Sequence, residues 1–209
     1  HTPTKLYAIR AKADYVNTNM YAKLPASNEE QEYTVLRDSK MRTYSDDGKP
    51  IELEYIEMVM QMSQTEIEME QDMLINNMNR CKLLKLKIGA KVMCLHNIDL
   101  ENDICNGSQG IVTRFSEDAE KRPIPWVRFV NGVEMPISYQ WVQSEMYPPI
   151  GVAQIPLTLA WALTIHKIQG ATLDCAEMDL GSSVFECGQT YVALSRVKNL
   201  DGQIGRAHV

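Results

Sequence analysis

The sequence has no run of about 18 consecutive apolar residues, the length that a membrane-spanning helix requires. Its first residues, HTPTKLYAIR, lack the basic flank and apolar stretch of a secretory signal peptide. No CxxC pair and no Cys/His pair at zinc spacing occurs among the cysteines, which are Cys81, Cys94, Cys105, Cys175 and Cys187. These absences predict a soluble intracellular protein that holds reduced thiols, contacts no membrane and binds no metal of its own.

Several catalytic motifs are also missing. The sequence contains no G-x-x-x-x-G-K-[ST] segment, whose backbone cradles the phosphates of ATP in P-loop enzymes. It has no Asp-Glu dipeptide that could hold Mg²⁺, no H-E-x-x-H segment and no order of Ser, His and Asp typical of a hydrolytic triad. If this chain takes part in ATP chemistry, another stretch of protein must therefore bind the phosphates.

The length and charge leave room for a nucleic-acid partner. The chain has 209 residues, 44% of them hydrophobic, which is enough for one domain or for one domain with a small insert. The formal net charge is −6, but residues 29–77 hold thirteen acidic and four basic residues, whereas residues 78–209 hold thirteen of each. The acidity of one segment therefore does not exclude a phosphate backbone as the partner of the rest.

The first 80 residues predict an α/β segment followed by acidic helices. The run TKLYAI is typical of a strand, and residues 12–24 predict a helix because Val16, Met20 and Leu24 recur every fourth residue. The alternating run EYTVLRD predicts a second strand. Residues 51–80 are rich in Met and Glu and predict one or two solvated acidic helices, with an interaction surface as the open alternative.

The middle of the chain has a different residue pattern, which predicts a small β-barrel inserted in the α/β domain. Five short alternating runs, LLKLKIG, KVMCLHNID, GIVTRF, WVRFV and VEMPIS, predict strands. The segments NGS and NGV are typical of tight turns between strands. The predicted boundaries are 1–82 for the first part of the α/β domain, 83–147 for the barrel and 148–203 for the remainder.

After the barrel, LAWALTIHKIQG and GQTYVALSRVKN predict helices, and CAEMDLG predicts a strand between them. The polar residues that end the first helix are open to two interpretations: a helix cap formed at Gly170, or a functional cluster that includes His166 and Lys167. Arg196 in the second helix is either a surface ion-pair residue or a cation that reaches a phosphate across an interface.

Four blocks in order resemble the C-terminal half of a Pif-family DNA helicase, a superfamily I enzyme related to the RecD-like helicases. The blocks are PTKLYAIRAKADYVNTNMYAKL, LKLKIGAKVMCLHNIDLENDICNGSQGIV, IPLTLAWALTIHKIQGATLD and GQTYVALSRV. They correspond to helicase motif IV, the start of a small SH3-like barrel, motif V and motif VI. The resemblance implies an α/β fold, in which a second RecA-like domain with a parallel sheet carries an inserted SH3-like β-barrel.

The resemblance also implies a nucleotide site. ATP with Mg²⁺ would lie between two RecA-like domains, held mainly by an N-terminal P-loop domain that this sequence does not contain. Arg196 matches the arginine finger of motif VI. The other residues that the resemblance assigns to ATP are Gln169, Gly170, Ser195, Tyr7 and Arg10.

The expected partners are single-stranded DNA, fork DNA and the missing N-terminal domain of the same protein. Thr164, His166 and Lys167 fall where the family contacts the DNA backbone. The barrel turn at Asn106, Gly107 and Ser108 is a second candidate for contact with single-stranded DNA. Trp126 and Trp141 are predicted either as stacking platforms for bases or as barrel core.

The function that follows is the C-terminal motor half of an ATP-dependent 5′-3′ DNA helicase, inactive as a separate fragment. The alternatives are a fragment of a RecD-like or relaxase-type helicase, and a single-stranded DNA-binding module without a motor. Residues 204–209, IGRAHV, are predicted to be a non-native tail, because they can be back-translated into a sequence that resembles a sequencing adapter. Residues 51–80 match no motif of the family.

Overall fold

The computed structural model describes residues 3–37, 41–45, 48–168, 171, 173, 176–179, 195 and 203–206. Its architecture is mixed α/β, which confirms the predicted class. The described helices are α1 (Arg10–Ala22), α2 (Leu53–Met60), α3 (Gln64–Asn77) and a 3₁₀ helix (Ile165–Ile168). The described strands are β1 (Thr4–Tyr7), β2 (Glu30–Thr34), β3 (Leu36–Arg37), β4 (Leu83–Lys87), β5 (Lys91–Cys94), β6 (Gln109–Glu117), β7 (Pro123–Phe129), β8 (Glu134–Pro136), β9 (Gln140–Gln143), β10 (Gly151–Gln154), β11 (Leu157–Leu159), β12 (Ala162–Thr164), β13 (Ala176–Asp179) and β14 (Gln203–Arg206).

The chain forms two compact units. Unit 1 comprises residues 1–31, 85–137 and 157–209, and unit 2 comprises residues 32–84 and 138–156. Unit 2 contains twelve acidic and six basic residues, whereas unit 1 contains fifteen of each. The whole net charge of −6 therefore resides in unit 2. The domain boundaries at 82/83 and 147/148 stay predictions.

A parallel sheet organises one part of unit 1. Its strand order is β12-β1-β13-β14, and all three pairs are parallel. Leu6 of β1 and Leu163 of β12 are buried in a cluster that also contains Ile165 and Ile168. The side chain of Asn17 in α1 exchanges two hydrogen bonds with the backbone of Ala162, at 2.8 and 2.9 Å, so α1 satisfies the outer edge of β12. Residues 204–206 of the predicted tail lie in β14.

The predicted helix in LAWALTIHKIQG is wrong over most of its length. In the described part of this run, which ends at Ile168, the chain leaves β11, forms β12 and is helical at Ile165–Ile168, as one 3₁₀ turn. β11 pairs with β5 and β12 pairs with β1, so the run divides between two sheets. Leu157, Ala162 and Leu163 are all buried. An apolar run has no periodicity that separates a buried strand from a buried helix, and tertiary pairing decides between them.

A five-stranded antiparallel sheet forms the other part of unit 1, with the order β11-β5-β6-β7-β8. Four of the five runs predicted as barrel strands lie in it, whereas LLKLKIG becomes β4 and pairs with β2. The fifth strand of the sheet is β11, which the sequence did not predict. Gly110 in β6 has no room for a side chain, because a Cβ atom would lie 2.5 Å from Val127 Cγ1. Gly132 turns the chain between β7 and β8 with φ at +90°.

Unit 2 combines α2, α3 and a small antiparallel sheet with the order β3-β10-β9. The fully buried Gln154 donates hydrogen bonds from Nε2 to the carbonyl oxygens of Tyr33 and Cys81, at 3.1 and 2.9 Å. α3 begins with a capping box, in which Ser63 Oγ accepts from the Glu66 backbone N–H and the Glu66 carboxylate accepts from the Ser63 N–H. The Ser63 N–H and hydroxyl both donate to the Glu66 carboxylate at 2.7 Å, and these two hydrogen bonds hold the pKa of Glu66 below its usual value. The prediction of acidic helices within residues 51–80 is confirmed.

Candidate nucleic-acid interface

The carboxyl ends of β1 and β12 lie side by side at one edge of the parallel sheet. Tyr7, the last residue of β1, pairs in register with Thr164, the last residue of β12. Ligands of open parallel α/β sheets bind outside the carboxyl ends of the strands, where the chain leaves the sheet. The register therefore brings a residue predicted to face the nucleotide next to a residue predicted to face DNA.

Three further predicted residues follow directly from these strand ends. Arg10, the first residue of α1, is exposed and forms an ion pair with Asp14 at 3.4 Å. His166 is exposed on the 3₁₀ turn after β12, whereas Lys167 is half-buried and donates a hydrogen bond from Nζ to Thr158 Oγ1 at 3.1 Å. His166 and Arg10 are accordingly open to a ligand, while Lys167 helps to hold the turn in place.

Four predicted residues belong to the nucleotide side of motifs V and VI. Gln169, Gly170 and Arg196 lie outside the described residues. Ser195 is described, and it is exposed at a turn. The roles of all four stay predictions.

The backbone N–H groups of residues 105–108 donate hydrogen bonds within the protein, whereas Asn106 Oδ1 is buried and has no hydrogen-bond partner among the described residues. The Gly107 N–H donates to the Cys94 carbonyl at 2.9 Å, and the Cys105 N–H donates to Ser108 Oγ at 3.0 Å. The Asn106 N–H donates to Asn97 Oδ1 at 2.9 Å. Gly107 has φ at +100°, which favours glycine. The geometry gives Asn106, Gly107 and Ser108 a clear role in shaping this turn, and their DNA contact stays a prediction.

An arginine stacks on Trp126 at the surface of the antiparallel sheet. Arg114 and Trp126 face each other across β6 and β7, and Arg114 Cζ lies 3.5 Å from the ring centroid. The Trp126 Nε1–H donates to Ser116 Oγ at 2.9 Å, which fixes the tilt of the indole. Trp126 is half-buried and Arg114 is exposed, so the pair offers a flat cationic surface to solvent.

Arg128, a second cation on the antiparallel sheet, is neutralised by Glu134. Arg128 donates from Nε to the Glu134 carboxylate at 2.9 Å, and Thr113 Oγ1 donates to the same carboxylate at 2.9 Å. The hydrogen bond from Thr113 and then that from Arg128 lower the pKa of Glu134, so the carboxylate stays charged. The charge of Arg114 also lowers the pKa of Glu134, but its guanidinium group is exposed and accessible to a polyanion. Trp141 lies in unit 2, where Arg42 Cζ is 5.1 Å from its ring centroid.

The sequence alone does not indicate a role for Arg114. The pairing of β6 with β7 shifts register between Val112 and Arg114, and this irregularity decides which residue of GIVTRF faces Trp126. A strict alternation of side chains would not place the bulge. The only available signal is an Arg and a Trp on neighbouring predicted strands.

The remaining candidate chemistry is sparse. The three cysteines within the described residues, Cys81, Cys94 and Cys105, are thiols and not disulfides, and burial raises the pKa of Cys94 to about 12. In the described part of the chain, no three His, Cys, Asp or Glu side chains are grouped so that they could hold a metal ion. None of the described helices has the length and apolar character needed to cross a membrane.

Known proteins with similar sequences are DNA helicases. The family described as "DNA helicase Pif1, 2B domain" matches residues 72–115. The human ATP-dependent DNA helicase PIF1 is 47% identical over 123 residues, which cover 58% of this chain and 19% of the human protein. The Pif1 helicase of Psychrobacter sp. is 74% identical over 168 aligned residues, covering 57% of this chain and 25% of that protein. The chain thus spans about a fifth to a quarter of these relatives.

Solved Pif1 structures share the fold. The crystal structure of Bacteroides sp. Pif1 in complex with ADP-AlF4 superposes with a TM-score of 0.65 and 26% identity, covering 100% of this chain and 41% of that one. Bacteroides Pif1 bound to ssDNA gives a TM-score of 0.53 and 26% identity, covering 99% and 41%. The sequence and structure matches confirm the resemblance to the Pif-family helicases.

Proposed function

We propose that this chain, a relative of the Pif1 DNA helicases, supplies the second motor domain and a single-stranded DNA-binding surface of an ATP-dependent DNA helicase. In this proposal the parallel sheet belongs to a second RecA-like domain, and the antiparallel sheet belongs to an inserted SH3-like barrel. The observation that carries the proposal is the pairing of Tyr7 with Thr164. It joins residues expected to face the nucleotide and DNA at one edge of one sheet.

The described residues at this edge suit a nucleotide. Arg10 exposes a guanidinium group shortly after β1, and such a group forms strong hydrogen bonds to phosphate oxygens. ATP with Mg²⁺ would supply the free energy of each cycle from the P-loop domain that this sequence lacks. Arg196 would stabilise the charge on the transferred phosphoryl group. Its expected neighbours in the cleft are Gln169, Gly170 and Ser195.

Thr164 and His166 would contact the phosphate backbone of single-stranded DNA. A hydroxyl and an imidazole at a strand end can hold phosphates without reading the base sequence. Closure of the ATP cleft would then shift this edge by one step along the strand. The expected direction is 5′ to 3′ and the expected substrate is a DNA fork, as in the helicases that the chain resembles.

A second candidate function is a single-stranded DNA-binding module without a motor. The Arg114–Trp126 pair favours it, because stacking and phosphate attraction need no ATP. A helicase of the RecD-like or relaxase type is the third candidate. The coding sequence upstream separates them, since a motor requires G-x-x-x-x-G-K-[ST] in the same reading frame.

The isolated 209-residue protein tests the proposal. We expect it to bind a labelled oligothymidine of about 20 nucleotides, with an affinity that falls as salt rises, in fluorescence anisotropy. His166→Ala should weaken binding at least about threefold more than Lys23→Ala, which removes an exposed cation of the same unit. Mg²⁺-dependent ATP hydrolysis by the purified protein would contradict the assignment of the phosphate site to another domain. Absence of binding to the oligothymidine would contradict the proposed binding of single-stranded DNA by this chain.

Trp126→Leu should weaken binding to the same oligonucleotide about tenfold, because leucine cannot support the Arg114 guanidinium as a flat surface for a base, and such stacking contributes about 1–3 kcal/mol. Trp126→Phe keeps an aromatic face and should stay within about threefold of the unchanged protein. Lys121→Ala, which removes an exposed cation from the turn of the same hairpin, provides the control for charge alone. Equal affinities of the Leu and Phe variants would remove Trp126 from the interface.

A further inference from the structure

The two helices of unit 2 expose large apolar side chains at helical spacing. Leu53 and Met60 in α2 are 68% and 67% exposed, and their separation of two turns puts them on one face. Met69 and Met73 in α3 are 62% and 58% exposed and lie one turn apart. Gln71 of α3 is buried on the side opposite its methionines, and Val59 of α2 is buried about 100° around the helix from Met60. Each helix therefore has a buried face and a second, solvent-facing apolar stripe.

The surroundings of these stripes are anionic. Residues 51–79 contain seven acidic residues and no Lys or Arg. Glu54, Glu57, Glu66 and Glu68 are exposed. Like the other exposed glutamates, Glu66 is charged at neutral pH, and the hydrogen bonds from Ser63 lower its pKa further. The charged side chains of the two helices are thus all carboxylates, one of which, Asp72, pairs with Arg37 from outside the helices.

The combination of exposed methionines and carboxylates indicates the class of partner that fits this surface. Single exposed apolar residues are common on protein surfaces, but methionines at regular helical spacing form a flexible apolar surface that adapts to another helix. Carboxylates repel the phosphates of nucleic acids and of anionic lipids. They attract Lys and Arg side chains, which flank the apolar face of a cationic amphipathic helix.

We propose that the acidic, Met-bearing face of α3, centred on Met69 and Met73, docks a cationic amphipathic helix of a partner protein. The stripe of α2 is a second apolar surface of the same chemistry in the same unit. The apolar side chains of the partner would cover the methionines, and its Lys and Arg side chains would meet Glu66 and Glu68. This docking uses neither ATP nor DNA, so it stands independently of the helicase proposal.

The probe for the test is a synthetic peptide of about 18 Leu and Lys residues, arranged so that a helix segregates them on opposite faces. A peptide of the same composition in scrambled order is the first control. Fluorescence anisotropy with the 209-residue protein should show binding to the ordered peptide at least about tenfold tighter than to the scrambled one. Binding should weaken with salt, since charge pairing contributes to it.

Substitution maps the binding to the methionines. Met69→Gln with Met73→Gln keeps side-chain length and helix propensity, and it should weaken peptide binding about tenfold or more by removing the apolar contact. Met146→Gln is the matched control, because Met146 is 66% exposed in the same unit but outside both helices, and it should have little effect. Glu68→Gln should reduce the salt dependence of peptide binding. Unchanged circular dichroism melting would establish that the variants fold.

Several outcomes would overturn the proposal. Equal affinity for the scrambled peptide would mean attraction by charge alone, and equal loss in the Met146→Gln variant would mean no defined docking face. Concentration-dependent dimerisation in sedimentation that Met69→Gln with Met73→Gln abolishes would make a second copy the occupant. Flotation with zwitterionic lipid vesicles that the same double variant abolishes would make a lipid surface the occupant.

Discussion

In the complete ATP-dependent helicase to which we propose this chain belongs, replacing Arg196 with Ala should lower ATP turnover by at least about 10³-fold. An arginine finger stabilises charge that develops only in the transition state, so its loss affects turnover rather than ground-state binding. The affinity for single-stranded DNA should stay within about threefold. The measurements are steady-state phosphate release with saturating DNA, and oligonucleotide anisotropy without ATP.

Two further variants make the Arg196 result specific. Arg196→Lys should restore little turnover, because an ammonium group lacks the planar fork that grips two phosphate oxygens. Lys198→Ala removes a cation two residues away and should retain turnover close to that of the unchanged enzyme. If turnover of Arg196→Ala survives within about tenfold, the residue is an ordinary surface cation and the motif VI assignment is wrong.

The start of the fold could be predicted from local patterns. The run TKLYAI is β-branched and aromatic, and it becomes β1. The recurrence of Val16 and Met20 every fourth residue indicates the helix that becomes α1. In both segments, local preference and tertiary packing favour the same conformation, so the pattern is sufficient.

The segment after Pro156 shows where local patterns fail. Apolar residues fill both faces of a strand that is buried between other strands, and they equally fill a buried helix. Leu157–Leu159 and Ala162–Thr164 become strands only because β5 and β1 offer free edges. That information lies about 70 and 160 residues earlier in the chain, so no window of sequence contains it.

The sequence named candidate residues of the interface other than Arg114, but it did not predict their geometry. The resemblance names Tyr7 and Thr164, but their side-by-side position follows from the register of β1 with β12. The Arg114–Trp126 stack depends on one irregular residue in β6, which alternation alone would misplace. Register and bulges are set by the sum of cross-strand contacts, and these become visible only in three dimensions.

The hydroxyl of Thr4 is the point where the two sheets of unit 1 share hydrogen bonds. Thr4 is fully buried in β1. Its Oγ1 accepts from Lys91 Nζ at 2.9 Å and lies 3.0 Å from Gln109 Oε1 and 2.8 Å from the Ala160 carbonyl oxygen. Lys91 belongs to β5, Gln109 begins β6, and Ala160 connects β11 to β12. One hydroxyl thus links the parallel sheet to strands β5 and β6 of the antiparallel sheet and to the connection between β11 and β12.

Thr4→Val should lower the free energy of unfolding by about 2–4 kcal/mol. The hydrogen bond from a charged lysine contributes about 1.5–3 kcal/mol and a neutral one about 1 kcal/mol, and valine keeps the volume of threonine while removing both. Thr4→Ser keeps the hydroxyl and should lose about 1 kcal/mol through the missing methyl group. Urea unfolding followed by tryptophan fluorescence measures both values. If the valine variant is as stable as the serine variant, packing rather than the hydroxyl holds the sheets together. A larger loss of stability in Thr4→Val than in Thr4→Ser would identify hydrogen bonding as the link between the strand that carries Tyr7 and the sheet that carries Arg114.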